Sequence, residues 1–258
     1  MKRFILTVSA MLAMAFSCFA ANPESDFVYD LAPDGQGVMI TSYKGKSTTV
    51  VIPDTIEGLP VTQIGTTESG FGVFPHTFKK ATKDIPYNVT VPKSVKVIGN
   101  GAFSGVKGKI DIDLSNITAI YSNAFSNSDL SGTIKISKNL EFKPNKAPFI
   151  NEKFCREAFA YTKITAVVIE EGVTSLNADS LFWECSELKS VTLPASLTRI
   201  NNNVFSLCSA LTEVIIPEGT KINYSEIWEG NPTAFSGCTS LSLATRAKIK
   251  ATGYTGQF

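Results

Sequence analysis

The chain has 258 residues with 24 Lys and Arg against 23 Asp and Glu, which gives a formal net charge of +1. This near-neutral balance contains no basic run, and it argues against nucleic acid as a partner because phosphate binding needs clustered cations. A length of this size would normally suggest one or two globular domains.

The N-terminal segment has the pattern of a secretory signal peptide. Lys2 and Arg3 precede an apolar stretch over residues 4–16, and small residues then lead to a predicted cleavage point after Ala20. The apolar stretch is short for a membrane span, and we expect no transmembrane span in the mature chain. We therefore predict an exported protein at the cell surface, in the periplasm or outside the cell. Lipidation at Cys18 is a minor alternative.

One short phrase recurs along the rest of the chain. An apolar run, often closed by Pro, is followed by an aliphatic residue with a turn former and then by a Phe. The run begins at Val50, Val89, Ile110, Ile134, Val167, Val191 and Val214. Steps of about 21 to 24 residues are typical of a solenoid, in which each repeat buries its apolar face against its neighbours. We predict one continuous array of about seven coils.

Each run alternates apolar and polar residues, as in Val89-Thr90-Val91. A period of two indicates a strand with one buried face and one wet face. Stacked coils would place one short strand each in a parallel sheet. No segment shows long helical periodicity, so the other sides of the coil should carry short helical turns or short strands.

Phe and Cys recur at fixed positions in the coils. The repeated Phe residues should stack as a buried column, and they are Phe103, Phe125, Phe159, Phe182, Phe205 and Phe235. Cys185, Cys208 and Cys238 each lie three residues after one of these rings. Their side chains should point the same way, whereas a disulfide needs facing side chains. We predict buried free thiols, with disulfides as the alternative in an exported protein; Cys155 lies in an insertion.

The combined pattern resembles the BspA-type leucine-rich repeat. AFSGCTSL (residues 234–241) matches it almost fully, and NNVFSLCSAL and DSLFWECSEL match with substitutions. The resemblance covers about residues 38–241. It implies a leucine-rich-repeat solenoid that is β-rich, with one short parallel strand per coil of about 23 residues and little regular helix. Proteins of this family are associated with bacterial surfaces and with adhesion, and they share no catalytic residues.

The resulting domain prediction has four parts. Residues 1–20 form the signal peptide, 21–48 an N-terminal cap, 49–241 the repeats, and 242–258 a C-terminal cap or tail.

The sequence offers no catalytic, cofactor or metal site. The one histidine, His76, belongs to the first coils and the Cys column to the last, so they are too far apart for a nucleophile and its base. One Cys per coil does not supply the closely spaced ligands of zinc. Glu170-Glu171 would need a shaped cleft to act as a glycosidase pair. We predict a protein that is not an enzyme and that needs no cofactor.

The leading functional hypothesis is an interaction protein that binds a protein or glycan ligand. The outward strand positions are Val51, Thr90, Asp111, Lys135, Val168, Thr192 and Ile215. The stretch from Val168 to Ile215 could form a modest apolar patch, although ordinary β-propensity explains the same residues. The alternative is a carbohydrate-binding protein for nutrient capture. It would use exposed aromatic residues, for which the candidates are Tyr161, Trp183, Tyr224 and Trp228.

Two insertions interrupt the array, at residues 137–157 and 223–233. Extra residues must leave the coil as loops, and loops on a rigid scaffold often carry binding. We predict that a specific ligand depends more on these loops than on the strand face. In the alternative reading, Phe142, Phe149 and Phe154 fold into the core and only complete irregular coils.

Overall fold

The computed structural model describes residues 20–68, 86–146, 153–224, 226–227 and 231–258. It consists mainly of short strands joined by tight turns. In chain order the strands are β1 (Phe27–Leu31), β2 (Val38–Tyr43), β3 (Thr49–Val51), β4 (Thr55–Ile56), β5 (Leu59–Ile64), β6 (Asn88–Thr90), β7 (Val97–Ile98), β8 (Ile110–Asp111), β9 (Ala119–Tyr121), β10 (Ser131–Ile136), β11 (Glu141–Lys143), β12 (Cys155–Arg156), β13 (Lys163–Ile169), β14 (Ser175–Leu176), β15 (Ala178–Asp179), β16 (Ser190–Thr192), β17 (Arg199–Ile200), β18 (Glu213–Ile215), β19 (Asn223–Tyr224), β20 (Glu226–Ile227) and β21 (Asn231–Pro232). The helices are α1 (Leu243–Ala251) and 3-10 turns at Glu24–Asp26 and Leu114–Asn116.

The predicted parallel strands line one side of the solenoid, which we call the strand face. Strands β3, β6 and β8 form one parallel sheet, and β10, β13, β16 and β18 form another. Val50 pairs with Val89 and Val167 pairs with Val191, so equivalent positions of successive coils lie side by side. The predicted solenoid with one parallel strand per coil is therefore confirmed.

A second column of short strands occupies another side of the coils. It runs β1-β2-β5-β7-β9-β11 and resumes as β14-β17-β19. Apart from the antiparallel β1–β2 pair, its neighbours are parallel. Ile64, Ile98 and Ile120 are fully buried along it. The aliphatic residue before the turn is thus a core residue, and this side of the coil carries short strands.

The repeated Phe residues form the predicted column. All six rings are fully buried. Successive centroids lie 5.2, 5.3, 5.3, 5.5 and 5.4 Å apart, and the rings are nearly parallel, with interplanar angles of 17° or less. Because each coil supplies one ring at the same offset, the stack runs in sequence order from Phe103 to Phe235.

Backbone hydrogen bonds accompany this column, and we call them the turn ladder. Three residues of a coil donate their backbone amides to the next coil: the Phe itself, the residue two before it and the residue two after it. Asn123, Phe125 and Asn127 do so at 2.8, 2.8 and 2.9 Å. The flanking residues adopt positive φ so that all three amides point along the solenoid axis. In chain order these left-handed residues are Gly101, Gly105, Asn123, Asn127, Glu157, Tyr161, Ser180, Glu184, Asn203, Leu207 and Gly237.

Cys185, Cys208 and Cys238 are free and buried, as predicted, and Cys155 is fully buried. The thiols of Cys185, Cys208 and Cys238 each donate to the carbonyl of the Phe in the preceding coil, at 3.1, 3.2 and 3.1 Å. Burial raises the pKa of Cys185 to about 11 and that of Cys238 to about 12, and it also raises the pKa of Cys208. These thiols are therefore neutral small core residues at physiological pH.

Both outer edges of the strand face are covered. At the first edge, Asn22 donates its amide to the carbonyl of Val51 at 2.9 Å, and its side-chain oxygen accepts the amide of Val51 at 2.8 Å. At the last edge, α1 contacts β18, and the hydroxyl of Thr245 donates to the carbonyl of Thr212 at 3.4 Å. The ring of Tyr254 contacts Phe235 edge-on at 5.5 Å and closes the Phe column.

The strand face is interrupted between β8 and β10. No backbone hydrogen bond joins these two strands, both of which lie within the described residues, and most Cα–Cα distances between them exceed 8 Å. We call this space the strand-face gap; it is bordered by residues 109–115 and 130–135. The same two coils remain paired in the second column, where Ile120 lies opposite Phe142.

The two coils beside the gap reach the second column by paths of different length. From the strand face to the second column, Val89 to Ile98 is nine residues, Ile110 to Ile120 is ten, and Ile134 to Phe142 is eight. The extra residue of the longer path is taken up by the 3-10 turn at Leu114–Asn116. Unequal paths do not by themselves open the strand face, since Val50 to Ile64 is fourteen residues and Val50 still pairs with Val89.

Candidate functional site

The strand face brings four predicted binding residues into one row. Lys135 lies opposite Val168, Val168 opposite Thr192, and Thr192 opposite Ile215. Their strand neighbours point inward, since Ile134, Ile136, Val167, Val191 and Val214 are all buried. Lys135 is exposed, Val168 and Thr192 are half-buried, and Ile215 is 49% exposed. We call these four residues the strand row.

The strand row has a cationic end and an apolar end. Lys135 stands beside the strand-face gap, and Ile215 is the most exposed apolar member at the other end. The three earlier outward positions form a separate row, in which Val51 lies opposite Thr90 and Thr90 opposite Asp111. The predicted row of seven is thus divided between Asp111 and Lys135.

Tyr224 corrects the expectation of an exposed ring in the second insertion. Its side chain is buried, at 6% exposure, because β19 pairs with β17 in the second strand column. Its hydroxyl lies 2.7 Å from that of Thr252, and its ring contacts Tyr254 edge-on at 5.0 Å. Burial raises its pKa to about 12. Tyr224 is therefore a core residue, while Trp228 lies outside the described residues.

Tyr161 and Trp183 form an aromatic pair at the surface. Their ring centroids are 5.1 Å apart with an interplanar angle of 63°. Tyr161 is 38% exposed, and Trp183 is half-buried, as expected for the residue directly after a column Phe. Partial burial raises the pKa of Tyr161, and the carboxylates of Glu184 and Glu157 add to this effect. The pair therefore presents ring surface beside two acids.

Parts of the insertions belong to the coils and do not leave them as loops. Phe142 lies in β11 and packs edge-on against Phe159 at 6.3 Å, and Cys155 in β12 is fully buried. Phe154 is half-buried, and Phe149 lies outside the described residues. The core-completing reading therefore applies to part of the first insertion. A binding role for the remaining loop residues stays a prediction.

The described residues contain no group of three or more His, Cys, Asp or Glu side chains that could hold a metal ion. His76 lies outside them. The Cys column has no buried base among its contacts, since its thiols donate to backbone carbonyls. In the part of the chain that the structure describes, no helix is long and apolar enough to cross a membrane.

The fold and its repeated Phe and Cys positions define a leucine-rich-repeat solenoid. The family model of the BspA type leucine-rich repeat region matches six copies over residues 76–152 and 152–250. The chain belongs to this family. Leucine-rich repeats serve as protein-interaction scaffolds through their extended surfaces.

Solved structures include several similar proteins. A leucine-rich-repeat protein of T. pallidum is 25% identical, with 93% of this chain and 99% of that chain covered and a TM-score of 0.68. The pneumococcal vaccine antigen PcpA is 18% identical, with 76% and 70% covered and a TM-score of 0.33. A leucine-rich cell surface protein of Faecalibacterium prausnitzii is 16% identical, with 93% and 98% covered and a TM-score of 0.29. None of the curated proteins compared with the chain matches it.

Proposed function

We propose that this chain is an exported, non-enzymatic interaction protein that binds a protein ligand at the strand row and acts in adhesion at the cell surface or outside the cell. The observation that carries the proposal is the alignment of Lys135, Val168, Thr192 and Ile215 on four paired strands. The signal-peptide pattern of residues 1–20 supports export.

The strand row has the properties of a small rigid binding surface. Its backbone is held by parallel pairing on both sides of β13 and β16, so little conformational entropy is lost when a ligand docks. It has a cationic end at Lys135 and an apolar end at Ile215, which suits a ligand with an apolar patch beside an acidic group.

The test is binding of the mature protein to an array of purified extracellular and bacterial surface proteins. The triple variant Val168→Glu/Thr192→Glu/Ile215→Glu should bind the ligand found on the array at least tenfold more weakly, because each carboxylate loses its hydration when an apolar contact covers it. The matched control, Ser186→Glu/Ser209→Glu, adds charge at exposed turn positions and should keep the affinity. Equal loss in both variants, or in neither, would exclude the strand row as the site.

A carbohydrate-binding function is the second candidate, and the Tyr161–Trp183 pair favours it. Aromatic faces pack against the apolar faces of sugars, and the neighbouring Glu157 and Glu184 can accept hydrogen bonds from hydroxyls. A glycan array with the wild type and Trp183→Ala tests it. Glycan binding that the Trp183 variant loses and the strand-row variant keeps would support this candidate. Absence of glycan binding by the wild type would remove it.

A further inference from the structure

The strand-face gap is an opening in the middle of an otherwise stacked array. It encloses a cavity of about 380 Å³ between the coil of β8 and the coil of β10. Elsewhere in the same coils the contact is tight: the rings of Phe125 and Phe159 are 5.3 Å apart, and the amide of Phe125 donates to Ala158 at 2.8 Å. The opening is therefore confined to one face of these coils.

The β8 border of the gap presents backbone groups toward it. In a parallel ladder, alternate residues of a strand bond to opposite neighbours. Val89 and Val91 donate amides to the carbonyls of Lys109 and Asp111, at 2.8 and 2.9 Å, so these carbonyls face β6. The peptide groups of Ile110 therefore point the other way, into the gap.

The β10 border also presents backbone groups toward the gap, from the opposite side. Lys163 donates to the carbonyl of Leu130 at 3.0 Å, and Glu170 donates to the carbonyl of Ile136 at 2.9 Å, so even-numbered residues of this strand face β13. The peptide groups of Thr133 and Lys135 consequently point toward β8. Two parallel strands thus present complementary, unjoined backbone groups to each other across the cavity.

An inserted strand needs space between β8 and β10. Paired strands lie about 4.8 Å apart, so a strand placed between two others needs about 9.6 Å between the outer pair. The unpaired strands leave a cavity of about 380 Å³, and the 3-10 turn at Leu114–Asn116, which has Cα atoms within 8 Å of β10, lies at one end of it. The outer edges at β3 and β18 are covered by Asn22 and α1, as proteins usually protect exposed strand edges. The gap lacks such a cover among the described residues.

The side chains around the gap define the chemistry of the occupant. Its inner wall is apolar and contains Ile112, Leu114, Leu130 and Ile134. Its outer rim carries Lys109, Asp111 and Asp113 on one border and Thr133 and Lys135 on the other, and the ammonium of Lys109 lies 3.5 Å from the carboxylate of Asp111. Hydrogen bonds from Ser115 lower the pKa of Asp113, so this carboxylate stays charged at physiological pH.

We propose that the strand-face gap binds an extended peptide segment of a partner protein, which inserts as a parallel strand between β8 and β10. The segment has apolar residues at alternate positions facing the inner wall. Its outward residues are acidic near Lys109 and basic near Asp113. This proposal deepens the interaction role proposed above, but it uses a surface separate from the apolar part of the strand row.

Amide hydrogen exchange of the full mature protein tests the open state of the gap. The amides of Ile110 and Lys135 should exchange about 100-fold faster than those of Val89 and Val91, which are held in the ladder. Equal protection of all four amides would mean that the gap is closed in solution, and it would overturn the proposal.

Peptide binding tests the occupant. The probe is a library of seven-residue peptides whose central five positions are acidic, apolar, polar, apolar and basic. The wild-type protein should retain more peptides from this library than from two control libraries, one with the charges reversed and one with the apolar positions scrambled. Addition of an enriched peptide should protect the amides of Ile110 and Lys135. Lys135→Pro removes one amide that faces the gap and keeps those that face β13, so affinity should fall about tenfold. The control Lys135→Ala keeps the amide and should lose much less.

Each outcome of these binding experiments either supports or overturns the proposal. No enrichment, or equal affinity of the Lys135→Pro and Lys135→Ala proteins with both folded by circular dichroism, overturns the proposal. A dimer that itself protects Ile110 and Lys135 would assign the gap to a second copy of this chain and also overturn it. Peptide binding retained by the strand-row triple variant separates this site from the strand row, so either proposal can fail alone.

Discussion

The Phe side and the strand face of the same two coils differ in one respect. On the Phe side, Phe125 and Phe159 stack at 5.3 Å with an interplanar angle of 3°, and the turn ladder is continuous. On the strand face, β8 and β10 are unpaired and separated. The stacking of coils is therefore maintained by the Phe column, the turn ladder and the second strands, while the strand face can open without breaking the array.

The difference shows which repeat positions tolerate variation. One ring per coil must occupy a fixed place because each ring contacts the rings before and after it. The path from the strand face to the second column varies from eight residues (Ile134 to Phe142) to fourteen (Val50 to Ile64), and turns absorb the change. The length of this path is therefore less constrained than the position of the ring.

The largest expected effect comes from breaking the Phe side. Phe125 belongs to a coil that borders the gap, and Phe205 belongs to a coil far from it. Phe125→Ala and Phe205→Ala should each lower the free energy of unfolding by about 3 to 5 kcal/mol, because both remove a fully buried ring. Denaturant titration measures the change. Similar costs at the two positions would show that the gap does not loosen the column. A loss below about 1 kcal/mol at either position contradicts the stacking.

Alkaline pH should destabilise the same side through the Cys column. The folded protein raises the thiol pKa of Cys185 from 9.0 to about 11 and that of Cys238 to about 12. Above pH 9 the unfolded chain releases these protons and the folded chain keeps them, so stability is full below pH 9 and falls as pH rises toward 11 to 12.

A Cys variant isolates this contribution. Between pH 8 and pH 10, the free energy of unfolding of Cys238→Ala should fall by about 1 kcal/mol less than that of the wild type. The comparison uses urea titrations at both pH values under reducing conditions. An identical fall in both proteins would mean that the thiol is accessible to solvent in the folded state.

The Phe and Cys columns could be predicted from sequence because their residue types recur at constant offsets. The gap could not be recognised from single coils, since ten residues after Ile110 and eight after Ile134 each lie within ordinary variation. Tyr224 was misplaced because it was assigned to the insertion at residues 223–233, whereas its pairing in β19 places it in the core.

The turn ladder was also hidden in the sequence, and it offers a smaller test. Glu184 has a φ of 53° at a position where three other coils use Gly or Asn and two use Tyr161 and Leu207. Left-handed backbone costs most residues about 1 kcal/mol, and Asn tolerates it better. Glu184→Asn should therefore raise the free energy of unfolding by about 0.5 to 1 kcal/mol, measured by thermal or urea unfolding. The control Glu187→Asn, at an exposed position without positive φ, should leave stability unchanged.

The smallest expected effect lies on the strand face. Val214 and Ile215 are neighbours on β18, with exposures of 2% and 49%. Ile215→Thr keeps a β-branched side chain at the surface and should change the free energy of unfolding by less than about 0.5 kcal/mol. Val214→Thr places a hydroxyl in the core and should cost about 1 to 3 kcal/mol. Urea titration of both variants measures the contrast. If Ile215→Thr were as costly as Val214→Thr, the strand row would be part of the core and unavailable to a ligand.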